Sequence, residues 1–326
     1  MSGFDGAKAE LHCHIEGAAP ARLVKEQAVR YGIDVTSIIS DDHFVWSDFT
    51  TFMNAYDLAA SLFRTEADYA MLAETYFSGL ARDGAIYGEI FVSPDHARSA
   101  GLEPQTYVNG LGEGIRRANE QDGIIGRMIV VGVRHLGADA VLQAARFAAS
   151  RPHPLVTGFG VAGDERSGHV AEFSKAFDLA REAELGLTIH AGELAGADSV
   201  RDALDHVRPS RIGHGVRAIE DPRLVERIAQ EGVVLEVCPG SNIALGIYPD
   251  HRNHPLRTLI DSGVKVTLNS DDPPYFLTSL KQEYDRAADL MGLSHGDLTA
   301  LTMTAIRAAF VDDATRSRLL EKLLPP

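Results

Sequence analysis

Residues 8–17 read KAELHCHIEG. An apolar-leaning run ends here in two histidines one residue apart, followed by an acid and a glycine. Side chains alternate between the faces of a β-strand, so His12 and His14 point the same way while Cys13 points the opposite way. Two imidazoles then converge on one small volume. That suits a divalent metal such as zinc, which takes histidine nitrogens at about 2.0–2.1 Å. An isolated HxH pair is not a site, because either ring is often an ordinary core or surface histidine. What the rest of the chain brings to the same place decides the reading.

Seven further β-branched runs follow: AIYGEIFVS (85–93), GRMIVVGV (126–133), LVTGFGV (155–161), LGLTIHA (185–191), SRIGHGV (210–216), GVVLEVC (232–238) and VKVTLNS (264–270). Each ends at polar or glycine-rich residues, and helical patterns separate them. HVAEFSKAFDLAREAE (169–184) and DPRLVERIAQ (221–230) carry apolar residues at helical spacing; the second opens with Asp221 as cap and Pro222 as first helical residue. Eight strands alternating with helices predict an α/β chain folded as a (β/α)8 TIM barrel. No linker, solenoid repeat or low-complexity tract divides it, so residues 1–326 read as one domain.

The composition excludes several classes of function. A formal net charge of −15 repels polyanions, which argues against nucleic acid as a partner. Cys13 and Cys238 are the two cysteines, too few for a disulfide framework, and the start MSGFDGAKAE has no secretory pattern. A reducing, cytoplasmic setting is the expectation. No apolar run is long enough to span a bilayer, since GIIGRMIVVGV is broken by Arg127 and glycines.

About seventy residues separate the first two strands, too many for a plain loop. Within them FTTFMNAYDLAASLF (49–63) sets Phe49, Phe52, Met53, Tyr56 and Phe63 on one face of a helix. The plain reading of such a stripe is core. In a barrel, however, a connection that follows a strand lies at the catalytic mouth, so this helical insertion is also a candidate lid.

Strand C-termini meet at that mouth, and they carry the remaining chemistry. LTIHAGE brings His190 to a strand end with Glu193 in the next turn. RIGHGV ends on His214, and VTLNSDD on Asp271 and Asp272, although aspartates before a proline also suit a plain turn. Taken together, LHCHIEG, VAGDE, HAGE, GHGVR, CPGSN and LNSDDP resemble, in order and position, the adenosine and adenine deaminases of the amidohydrolase superfamily, over roughly Lys8 to Tyr275. The resemblance implies one zinc ion per chain, held by His12, His14, His190 and Asp271. It implies that Glu193 gives a proton to purine N1, that His214 orients the attacking water and helps to deprotonate it, and that Asp272 bonds N7 and the attacking oxygen. Gly163 matches a backbone contact to N3.

The chemistry needs such groups. Zinc brings the pKa of bound water towards about 7, and purine C6 is a poor electrophile until N1 is protonated, which requires an acid with a raised pKa. Two other motifs point elsewhere and fail. GFGVAG (158–163) spells a dinucleotide fingerprint but is followed by Asp164 and Glu165, which oppose a pyrophosphate; the H-x-E…P-C-x-x-C deaminase pattern needs paired cysteines. His43, His96, His135, His153, His169, His206, His251, His254 and His295 fit no ligand spacing and read as structural or exposed, with a pocket role left open for His135 at its strand end.

One departure bears on substrate. Nucleoside-acting relatives resemble HxHLDG, whereas Glu16 stands here, as in the adenine-acting branch. VAGDE and HAGELAG resemble the nucleoside branch. The expectation is an adenosine deaminase yielding inosine and ammonia, with adenine to hypoxanthine as the alternative, and His14, Glu16, Gly163 and Asp272 as substrate contacts. Oligomeric state is not legible.

Overall fold

The computed structural model describes residues 3–323. Its strands are β1 (Lys8–Glu10), β2 (Ile39–Ser40), β3 (His43–Phe44), β4 (Ala85–Val92), β5 (Ile125–Val133), β6 (Val156–Ala162), β7 (Gly186–Ala191), β8 (Arg211–His214), β9 (Val234–Val237) and β10 (Lys265–Leu268). All but the β2–β3 hairpin form one parallel sheet in the order β1-β4-β5-β6-β7-β8-β9-β10. The strands are parallel because each crossover returns the chain to the same end of the sheet, and each new strand is laid beside the one before it. The two edges meet: the Asp271 amide donates to His12 O at 3.0 Å, and the His14 amide donates to Asp271 O at 3.1 Å. The result is the expected (β/α)8 barrel, nearly closed, and it closes on residues singled out from the sequence.

The first strand is shorter than its sequence pattern. Continuous pairing with β4 stops at Glu10, and beyond it only isolated bridges remain, His14 with Phe91 and Cys13 with Asp271. The Glu10 carboxylate replaces part of the lost ladder, accepting from the His12 amide at 3.3 Å and from the Ser270 amide and hydroxyl at 3.1 and 2.5 Å. Alternation survives this break, since His12 lines the barrel interior while Cys13 is buried in the surrounding core.

The long insertion holds α1 (Ala21–Tyr31), the hairpin and α2 (Phe49–Ala60), and leads into α3 (Glu66–Arg82). A capping box starts α2: Thr51 N donates to Asp48 Oδ1 at 2.8 Å, and Asp48 N donates to Thr51 Oγ1 at 3.0 Å. The helix ends three residues before Phe63, so that ring leaves the stripe and packs on Tyr69, 6.0 Å between centroids. Phe49, Phe52, Met53 and Tyr56 instead line the cavity at the mouth. Phe52 packs on Phe276 and Tyr275, and the Trp46 indole donates to Tyr275 O at 3.1 Å, which moors α2 to the loop after β10.

Below the mouth the barrel interior is ionic. Arg211, 1% exposed, lies 2.6 Å from Glu89 and 2.6 Å from Glu236, donates to Ala308 O at 3.0 Å, and stacks on Phe310 at 3.6 Å. Among the described residues no helix is long and apolar enough to cross a membrane.

Candidate active site

The ends of β1, β7, β8 and β10 deliver five donor-bearing side chains to one point. His14 Nε2 lies 3.1 Å from His190 Nε2 and 3.5 Å from Asp271 Oδ1; His12 Nε2 lies 3.5 Å from Asp271 Oδ1. Ligand atoms each about 2.0–2.1 Å from one ion stand roughly 3–3.5 Å apart, so these spacings fit a tetrahedral metal site. His12, His190, His214 and Asp271 also offer atoms that all lie within 4.8 Å of one another. The two sets differ in one member, His14 or His214, and hydrogen bonding separates them.

His12 Nδ1 sits 2.8 Å from Glu236 Oε2, and a carboxylate can only accept there, so Nδ1 carries the proton. Nε2, the nitrogen whose lone pair a cation would take in place of a proton, is buried without a hydrogen-bond partner among the described residues. A carboxylate behind a histidine that turns its other nitrogen into a polar cluster is how metal-binding imidazoles are oriented. His214 is arranged the other way. The Leu256 amide donates to His254 Nδ1 at 3.1 Å, so His254 Nε2 bears the proton and donates to Asn242 Oδ1 at 3.1 Å. That turns the Asn242 amide nitrogen towards His214 Nδ1, 3.3 Å away, and leaves the His214 proton on Nε2. Neutral His214 therefore presents an N–H to the cavity. In this tautomer it donates to an oxygen and does not take a proton from it, which favours His14 as the fourth ligand.

Burial and neighbours set the charges. Burial opposes a proton on His12, but Asp271 and Glu236 outweigh it and push the ring up to about 10, so this position favours a positive charge. Burial lowers His14 to about 4, His214 to about 3 and His190 well below its ordinary value, which leaves those rings neutral at pH 7. Burial also works against ionised Asp271, yet His12, His214 and His14 hold it below the usual carboxylate range. Glu193 and Asp272 go up instead: burial dominates, and the Asp271 charge adds to it. Glu193 Oε2 lies 3.6 Å from His214 Nε2. Asp272 Oδ1 is buried with no partner among the described residues, and it occupies the space a Cβ would need at Gly17. The site thus sets two acids pushed towards the protonated form beside one carboxylate pushed towards the ionised form.

A cavity opens over this cluster. His14, Glu16, Gly163, His190, Glu193, His214, Asp271 and Asp272 all line it, so of the residues expected from the sequence only His12 lies beneath rather than on its wall. Glu16 is buried, with the Tyr107 hydroxyl donating to Oε1 at 2.5 Å and His96 Nδ1 3.8 Å from Oε2. His96 and His135 also line the cavity, which corrects the plain structural reading of His96 and fills the opening left for His135. Glu236 is a further residue that motif reading misses, although an acid inside the apolar run GVVLEVC is itself a sign of a buried charge. Asn242 closes the CPGSN motif without any sign there of its role, and His254 has no local signal. A second trio, His169, Asp202 and His206, comes together at the surface, but His169 is already used: its Nδ1 caps Ala171 N at 3.2 Å and its Nε2 pairs with Asp202 at 3.2 Å.

Comparison with known proteins gives a consistent picture. The family profile described as Adenosine deaminase matches residues 7–325. The adenine deaminase of Sinorhizobium medicae is 62% identical over 316 residues, 97% of this chain and 98% of that one; the adenine deaminase of Chelativorans sp. is 63% identical over 318 residues, 98% of each. The crystal structure of adenine deaminase from Arthrobacter aurescens superposes with a TM-score of 0.91 at 29% identity, covering 99% of this chain and 98% of that one. These relatives overturn adenosine as the expected substrate. Of the sequence signals, Glu16 points the same way as these relatives, and VAGDE and HAGELAG point the other way. With its barrel, its buried histidine and aspartate cluster and a family match along nearly its whole length, the chain belongs to the adenosine deaminase family of the amidohydrolase superfamily, hydrolases that remove an amino group at a C–N bond.

Proposed function

We propose that the protein hydrolyses adenine to hypoxanthine and ammonia at a site holding one zinc ion. The observation that carries the choice of substrate is Glu16. Free adenine has an imidazole-ring N–H that adenosine lacks, since the nucleoside bears ribose there. Tyr107 occupies Glu16 Oε1 at 2.5 Å, while Oε2 takes no hydrogen bond among the described residues and belongs to the cavity wall. A carboxylate fixed by Tyr107, its other oxygen met only by His96 Nδ1 at 3.8 Å, accepts such an N–H and fills space a sugar would need. The naming of relatives above 60% identity as adenine deaminases supports the same reading.

His12, His14, His190 and Asp271 would hold the ion, which when bound supplies Lewis acidity that brings the pKa of water towards about 7. Glu193, kept protonated by burial and by Asp271, gives its proton to purine N1 and makes C6 electrophilic. Asp272, protonated for the same reasons, donates to N7. The His214 N–H holds the attacking oxygen on course, and Gly163 at the end of β6 meets N3 through its backbone. Oxygen joins C6 and the C6–N bond breaks. One proton of the water replaces the one Glu193 gave to N1, and the other leaves with the amino group as ammonia. Phe49, Phe52, Met53 and Tyr56 of α2 exclude bulk water from above.

Ultraviolet absorbance on mixing purified protein with adenine or adenosine tests the reading. kcat/KM is expected to favour adenine by tenfold or more, and Glu16→Ala to lower it for adenine. A tenfold preference for adenosine refutes the proposal.

A further inference from the structure

We propose that Glu165 is the positioning residue for the acid Glu193, seated as a built-in anion in a nest of backbone amides. The turn after β7 carries Glu193, and its four successive amides, Gly192, Glu193, Leu194 and Ala195, all donate to the Glu165 carboxylate, the last three at 2.9, 2.6 and 2.9 Å. The Ser199 hydroxyl adds a fifth bond at 2.5 Å. Consecutive amides that converge in this way form a concavity for an anion. Here the anion is a side chain of the same chain, 4% exposed. Gly192 makes the convergence attainable: its φ is +71°, and a Cβ there would collide with the Val200 side chain.

The loop that carries Glu165 is fixed in turn. Buried Arg134 donates to Ser167 O at 2.8 Å, Gly168 O at 2.9 Å and His190 O at 3.4 Å, tying that loop to the end of β7. The Glu193 side chain is held only loosely by comparison, with Ser241 Oγ at 3.5 Å and His214 Nε2 at 3.6 Å. The direction in which Glu193 aims its proton is therefore set through its backbone, by Glu165. No cation makes a salt bridge to Glu165 among the described residues; Arg134 acts on its charge from further away, the direct contacts are amides and one hydroxyl, and a neutral carboxamide does not replace it. In Gln one oxygen becomes a donor facing donors.

The inference rests on the deamination reading, and the two fail differently. Glu165→Gln is expected to lose about 10²-fold in kcat on adenine with KM changed little and one ion per chain retained, the scale of a catalytic group displaced by about 1 Å. Added to Glu193→Gln, it is expected to change kcat by less than twofold, because the group it positions is already gone. Wild-type kcat in Glu165→Gln, or a further 10²-fold loss in the double variant, overturns the inference while deamination stands. A wild-type protein inactive on adenine overturns both. If Glu165→Gln does not fold, Ser199→Ala, which removes one donor to the same carboxylate, decides the matter. A several-fold loss of kcat confined to the background with Glu193 intact supports positioning, and an equal loss in both backgrounds refutes it.

Discussion

Two buried clusters of charge lie one above the other in this barrel, and Glu236 belongs to both. In the lower one each formal charge meets its opposite: Arg211 sits between Glu89 and Glu236, Tyr87 donates to Glu89 at 2.6 Å and Thr188 to Glu236 at 3.1 Å. Burial opposes ionised Glu236, but Arg211 and His12 prevail and keep it below the usual carboxylate range. The wall of the upper cluster carries no arginine or lysine among the described residues. Among the described residues His12 Nε2 and Asp272 Oδ1 are buried without partners, and Glu193 and Asp272 are pushed up rather than down. In the lower cluster even the one atom without a hydrogen bond, Arg211 Nε, lies 2.6 Å from Glu236, so its charges are paired within the protein, whereas the unpartnered atoms of the upper cluster are left for a metal and a substrate, and stability is given up for them.

The sharpest way to break this contrast is at the upper cluster. His12→Ala and Asp271→Ala are expected to lose the ion and deaminase activity together, to background, as checked by elemental analysis and absorbance assay. An active preparation without a bound transition metal would show that the unpartnered atoms serve another purpose. Next comes Glu193→Gln, expected to keep the ion and lose about 10²- to 10⁴-fold in kcat. The sign of its pH dependence follows from the raised pKa. The protonated form is the working one, so wild-type kcat is expected to fall as pH rises through that pKa, and the alkaline limb to vanish in the Gln variant.

The lower cluster should respond in stability. Arg211→Met leaves Glu89 and Glu236 uncompensated in the barrel interior, and a loss of about 3–5 kcal/mol is expected in urea unfolding. An unchanged midpoint would mean that the lower cluster is not the structural one. The smallest effect belongs to the shared residue. Glu236→Gln is expected to weaken metal binding by about 10- to 100-fold, as loss of a carboxylate behind a ligating histidine does, measured by competition with a chelating dye. If it lowers stability as much as Arg211→Met and leaves metal affinity alone, Glu236 belongs to the lower cluster only.

Much of the upper cluster is legible in the sequence. Hydrophobic runs that end in HxH, His, His and Asp-Asp read as strand termini, and parallel strands joined by helices must bring their termini to one face, so the barrel and the meeting of His12, His14, His190, His214, Asp271 and Asp272 follow from local pattern plus chain connectivity. The aromatic stripe of α2 is legible as a helix face, but not what that face covers, and Phe63 falls out of it once the helix ends at Ala60. Glu16 is visible as a departure, but its weight against VAGDE is not, because a residue's reach into a cavity depends on what holds it. That holder, Tyr107, comes from a helix ninety-one residues away. Partnerships of this kind belong to tertiary structure alone. Glu236 behind His12, Arg211 between two glutamates, Asn242 setting the His214 tautomer and Glu165 filling a nest of amides all join residues whose own stretches of sequence carry no periodicity that links them. Local pattern decides what a segment becomes and which end of it is functional. Which buried polar atoms find partners, and which are left for a ligand, is settled only when distant segments share one interior.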